Sequence, residues 1–164
     1  MGLTAVQSYV QTLIQGLVGA YNNAPLEAWV NPPSANASAE TPQAYILAAD
    51  GDGVRQTMAY TSGFYRDTHQ VFVYVEWMLP PDSTNGNLAF TNLLDTIIAT
   101  IRTSYTGAIE ITDPATGLTT QLLVIGDKVK WRYLPQRNVG ESGQEWLDYL
   151  AQLTFEVQIK EQYV

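Results

Sequence analysis

Apolar residues recur at intervals of three and four between Thr4 and Tyr21, at Val6, Val10, Leu13, Ile14, Leu17, Val18 and Tyr21. That spacing lines one side of an α-helix, with Thr4 placed as N-cap and Gly19 near the end. The next stretch, NPPSANASAETP over residues 31–42, mixes Pro, Ser, Asn and Ala without period and predicts a surface loop. QAYILAA is a short apolar run ending at Asp50-Gly51, which predicts a strand of about six residues. QVFVYVEWML is rich in Val, Phe and Tyr and apolar at both parities from Val71 to Val75, the pattern of a central strand covered on both faces.

From Leu88 to Tyr105 the helical period returns at Phe90, Leu93, Leu94, Ile97, Ile98, Ile101 and Tyr105, and the opposite side is Thr, Asn and Asp. The remainder reads as strands. AIEIT and TTQLLVI flank the turn formers of DPATGL and predict a hairpin. After Gly126-Asp127, DKVKWRYLP alternates, with Lys128, Lys130 and Arg132 on one side and Val129, Trp131 and Tyr133 on the other. Leu153, Phe155, Val157 and Ile159 alternate with polar residues in a half-buried last strand, and QEWLDYLAQ before it fits either a helical turn or an early start to that strand. The expected class is α+β: a single domain over 1–164, with a mixed or antiparallel sheet, two main helices packed on one side, and a long inter-strand arm at 50–68.

Composition narrows the function. A chain of 164 residues suits one domain that buries roughly 70% of its unfolded surface. Its net charge of −8, from 16 acidic and 8 basic residues, repels nucleic acid and supplies no general counterion-release drive. The imbalance is uneven: the first 54 residues hold Glu27, Glu40, Asp50 and Asp52 and no Lys or Arg, whereas Lys128, Lys130, Arg132 and Arg137 cluster. With 15% charged residues, much of the exterior falls to Thr, Ser, Gln, Asn and Tyr, a surface that is cheap to desolvate against another subunit. The absence of cysteine excludes disulfides and thiolate chemistry. The pattern shows neither a secretory signal nor a membrane span, and a soluble intracellular product with no membrane partner is expected.

Candidate chemistry is sparse. Asp50-Gly51-Asp52-Gly53 resembles the start of a calcium loop, but the twelfth position is Thr61 or Gly63 rather than Glu, so a turn leaving the strand is expected instead. His69, the only histidine, reads as exposed surface before a strand; no nucleophile elbow surrounds Ser62, and zinc would need carboxylates for its other ligands. Asn36-Ala37-Ser38 matches a glycosylation acceptor that a chain without export would not use. Phosphate loops are absent, and no spacing selects a carboxylate pair. No cofactor, metal or catalytic residue is expected.

Two features remain. Lys128, Lys130 and Arg132 share one strand face, which fits contact with an acidic surface, such as another copy of this chain, or a solvated face that blocks edge pairing. The 50–68 stretch combines Gly51, Gly53 and Gly63 with Arg55, Tyr60, Phe64, Tyr65 and Arg66, the composition of a flexible arm that touches protein.

GFYRDTHQVFVYVEWMLPPDS, NLAFTNLLDTIIATIRTS, ITDPATGLTTQLLVIGDKVKWRYLP and YLAQLTFEVQIKEQY, in that order from about Thr57 onward, resemble tail terminator and neck proteins of tailed bacteriophages. The resemblance rests on element order and short phrases rather than one diagnostic motif. It implies a small α+β subunit that forms a ring, expected at six copies, on the head-proximal end of the tail tube. Its partners would be the tail tube protein and the head-tail connector, with assembly in the bacterial cytoplasm and no catalytic residues. Inter-subunit contacts would fall on Arg55, Tyr60, Phe64, Tyr65 and Arg66 and on Lys128, Lys130 and Arg132. A tail tube or other ring-forming virion protein is the alternative, and a carboxylate-dependent hydrolase is the alternative of a different class.

Overall fold

The structure, a computed structural model, describes residues 3–20, 23–30, 41–57, 63–79, 86–104, 109–112, 119–139 and 146–163. Two helices, α1 (Leu3–Ile14) and α2 (Gly86–Thr103), pack on one face of a six-stranded sheet. The strands are β1 (Glu27–Trp29), β2 (Gln43–Thr57), β3 (Gly63–Leu79), β4 (Ile109–Thr112), β5 (Thr119–Val139) and β6 (Trp146–Tyr163). Their spatial order is β1-β2-β3-β6-β5-β4, parallel between β1 and β2 and antiparallel elsewhere, so the sheet is mixed and the fold is α+β.

The helix-covered face takes alternate positions of three neighbouring strands. Ala44, Ile46 and Ala48 of β2, Val71, Val73, Val75 and Trp77 of β3, and Tyr149, Ala151, Leu153, Phe155 and Val157 of β6 are all buried. Against them lie Val6, Val10 and Ile14 of α1 and Phe90, Leu93, Leu94, Ile97 and Ile101 of α2, all in a single core cluster. On the other face the intervening residues Phe72, Tyr74, Glu76 and Met78 are half-buried. β3 is central as expected, yet only one of its faces is fully covered.

α1 is shorter than its apolar period predicts. Gly16 adopts φ 79°, a left-handed conformation that ends the helix, and its N–H donates to the Leu26 carbonyl at 2.8 Å. The Leu26 N–H donates back to Leu17 at 2.9 Å, so the chain after the helix is bound to the segment entering β1 rather than continuing to Tyr21. Gly19 then passes close to α2: a Cβ there would lie 3.0 Å from the Leu93 nitrogen. Three glutamines fasten this corner to the sheet. Gln7 Nε2 donates to the Ile46 carbonyl at 3.2 Å and Gln11 Nε2 to the Ala28 carbonyl at 3.0 Å, while Gln15 Oε1 accepts from the Ala28 N–H at 2.8 Å.

The polar side of α2 satisfies itself. Thr91, Asn92, Thr96 and Thr100 each donate to the carbonyl four residues back, at 2.8–2.9 Å, which explains how a helix with so little charge tolerates water along that side.

The largest departures from the sequence reading concern the strands. Within the 50–68 stretch, residues 50–57 and 63–68 are strand rather than flexible loop. Residues 50–57 continue β2 past an irregularity between Ala48 and Asp50 and pair with residues 63–70 of β3. Asp50 and Asp52 stand opposite Gln70 and Thr68 inside the ladder, so the turn expected at Asp50-Gly51 is strand. The described parts of the arm are therefore a paired extension of the sheet; 58–62, including Tyr60, lie outside the described residues, as do 31–40 of the surface loop expected at 31–42 and the whole of the turn expected at 113–118. TTQLLVI and DKVKWRYLP are one strand, β5, joined through a register shift between Ile125 and Lys130. β6 starts at Trp146, which makes WLDYLAQ strand; Gln144 and Glu145 lie outside the described residues. His69, expected on the surface, is 9% exposed and shares the helix-facing parity of Val71. At about 3.3 Å per residue β3 spans roughly 56 Å, whereas α2 at 1.5 Å per residue spans roughly 27 Å. The helices cannot cover the whole sheet.

Candidate subunit interface

The exposed side chains with most to offer a partner lie on β5. Lys128, Lys130 and Arg132 are exposed, and between them Val129 is buried at 5%. Trp131 and Tyr133, which alternation puts on the same side as Val129, differ from it in being 53% and 49% exposed. The reason is position. In the ladder Trp131 and Tyr133 oppose Leu153 and Ala151, two buried residues of the helix-covered face, but β5 lies on the outer side of β6 where the helical layer ends.

What cover exists comes from α2. The Arg102 guanidinium lies 5.8 Å from the Trp131 ring centroid, within cation–π range. Phe90 meets Tyr133 edge-on at 6.5 Å and Tyr149 at 5.5 Å. Beside these rings opens a cavity of about 640 Å³ lined by Asn87, Phe90, Tyr133, Leu134, Tyr149 and Leu150. On the opposite face a smaller hollow of about 120 Å³ lies among Lys128, Lys130, Gln70, Thr154 and Glu156. β5 thus shows aromatic rings on one side and cations on the other.

The helix-free face carries a row that runs Trp29, Tyr45, Tyr74, Gln152 and Arg132 across five strands. The Tyr45 hydroxyl donates to Gln43 Oε1 at 2.8 Å. Burial, then the negative charges of Glu76 and Asp148, push the Tyr45 phenol above its ordinary value of 10.0. Asp148 is fully buried and Gln43 nearly so, and neither was singled out from the sequence. Their only signal was a polar residue at an otherwise regular strand position, which many exposed residues share.

The other residues proposed as contacts fall on the far part of the sheet. Arg55 pairs with Tyr65, Val54 with Arg66 and Gln56 with Phe64 across β2 and β3. On the other side of β3, Phe64, Tyr65 and Arg66 oppose Gln162, Glu161 and Lys160 of β6. The sheet therefore links the arm and the basic row through one ladder, but does not bring them into one cluster. The Lys130 row passes through Phe72, six residues and about 20 Å along β3 from Arg66.

Among the described residues no three His, Asp or Glu side chains gather as metal ligands do. No described helix is long and apolar enough to cross a membrane. No protein-family model matches the chain, and no curated protein matches it.

Proposed function

We propose that the chain is a ring-forming structural subunit of a phage tail, acting as the terminator or neck ring that caps the tail tube and meets the head connector. The observation that carries this reading is the exposure of Trp131 and Tyr133 beside Lys128, Lys130 and Arg132 on one strand of an acidic chain. Exposed aromatic rings and Arg are the groups from which protein contacts draw most of their energy. Positive charge on a protein of net −8 favours an acidic partner, and a second copy is acidic. The phrases from Thr57 to Tyr163 that resemble tail terminators supply the biological setting.

The mechanism is geometric. A closed ring that fits the last tube ring on one side, and offers a different surface on the other, stops growth because the next tube subunit finds no matching contact. Head-to-tail contacts between neighbours close such a ring. Electron microscopy of the pure protein tests this: closed discs are expected. Unlimited filaments would assign it to the tube, and activity of a monomer lost in Asp50→Asn or Asp52→Asn would assign it to a carboxylate hydrolase.

A further inference from the structure

Both outer edges of the sheet are only partly covered. β1 pairs with Gln43–Tyr45 of β2 alone, and β4 pairs with Thr119–Leu122 of β5 alone. Beyond β2 from Ile46 to Thr57, and beyond β5 from Leu123 to Val139, no described strand lies. The ladder fixes how the two open stretches compare in height. One row runs Leu47, Phe72, Thr154, Lys130; the next register positions run Asp50, Gln70, Glu156, Ile125 and then Asp52, Thr68, Gln158, Leu123. β1 closes one end of one edge and β4 the other end of the other edge. The stretch left open on both at the same height is the one between the Leu47 and Asp52 rows.

That shared window holds opposite charges. On β2 it contains Asp50 and Asp52. On β5 it contains exposed Lys130 and, in the irregularity just before it, exposed Lys128 and one acidic residue, Asp127, which leaves the window with net positive charge. We propose that in the ring the open edge of β5 in one copy pairs with the open edge of β2 in the next, displaced along the strands by about three residues from level, since Lys130 is level with Leu47, so that Lys130 and Lys128 stand against Asp50 and Asp52. This rests on the ring reading above and names its contact.

The direction follows from topology. β2, β3, β6 and β5 alternate in direction, so a rotated copy placed alongside brings its β2 antiparallel to β5 and continues the ladder. Backbone N–H and C=O groups on edges that no described strand covers supply the attraction common to any edge pairing. Charge supplies the choice: β5 against β5 would oppose lysines, and β2 against β2 would oppose aspartates, so only the head-to-tail pairing that closes rings escapes repulsion.

Two variants and their mixture test the pairing. Lys128→Glu with Lys130→Glu makes both edges acidic; Asp50→Lys with Asp52→Lys makes both basic. Each alone is expected to weaken self-association by roughly tenfold or more, since each opposite-charge pair across strands contributes a factor of roughly two to five. An equimolar mixture is expected to restore rings, because the acidic β5 edge of one then meets the basic β2 edge of the other. The mixture also controls for misfolding, since an unfolded variant would not be rescued. Amides of 123–139 and 46–57 are expected to exchange more slowly in the ring than in the dissociated chain. Wild-type rings that neither variant weakens, or variants that stay apart when mixed, overturn the edge pairing while the ring stands. A wild-type chain that is monomeric at every concentration overturns both.

Discussion

The two faces of this sheet are built from alternate residues of the same strands and differ in almost every physical respect. Val71, Val73 and Val75 are at zero exposure beneath two helices, while Phe72, Tyr74 and Glu76, one residue along in each case, are half-buried. The helix-covered face is largely apolar, aliphatic with Trp77, Tyr149 and Phe155 among it, and is closely packed, as a core that fixes one structure must be. The helix-free face mixes aromatic, amide and acidic groups, with Tyr45 bonded to Gln43 and Asp148 buried nearby. Buried apolar area is thus concentrated on one side of the sheet, while the other side and β5 present half-buried or exposed polar and aromatic groups.

The largest expected effect breaks the comparison at two adjacent residues of β6. Phe155→Ala, at 1% exposure, is expected to cost about 3–5 kcal/mol in urea unfolding. Thr154→Ala, half-buried on the other face, is expected to stay within about 1 kcal/mol. Equal costs would show that both faces are packed alike.

The corner after α1 offers a smaller test, because its two glycines are required for different reasons. Gly19→Ala would press a methyl group against the α2 backbone at Leu93, and about 1–3 kcal/mol is expected for such overpacking. Gly16→Ala meets open space but must hold φ 79°, which costs about 1–2 kcal/mol. If Gly16→Ala were neutral, the chain could leave α1 by another route, and the bond from Gly16 to Leu26 would not be what ends the helix.

Tyr45 sharpens the helix-free side. Its raised pKa means that the folded protein holds the phenolic proton more tightly than the unfolded chain does. The corresponding stability is fully present below the unfolded value of about 10 and is lost as pH rises through the higher folded value. Unfolding followed from pH 9 to 11 should show a decline that Tyr45→Phe lessens. The smallest stability effect is expected at Trp131→Ser and Tyr133→Ser, within about 0.5 to 1 kcal/mol for side chains half exposed already. Their effect should appear instead as weaker self-association.

The sequence was most legible where one period ran alone. α2 came within two residues of its expected ends because a wide apolar stripe and self-bonded Thr and Asn leave no competing pattern. α1 was overextended because Leu17, Val18 and Tyr21 keep the helical spacing after Gly16 has left it; Leu17 still packs on the core, by a different path. The strands were underestimated for a related reason. Glycine and aspartate at 50–53 and 126–127 are ordinary loop signals; here residues 50–53 stay in the ladder past a register shift, and 126–127 lie in the irregularity between Ile125 and Lys130 without ending the strand. Of the contact residues, the exposed cations of β5 were legible from alternation alone. The exposure of Trp131 and Tyr133 was not, because it depends on where the helical layer stops.

The central claim is that this chain works by the shape it presents to its own copies. Light-scattering mass of the pure protein across a wide concentration range tests that most directly. The account expects a plateau at a fixed multiple of the 18.1 kDa chain, unchanged by further concentration. A mass of one chain throughout would contradict it.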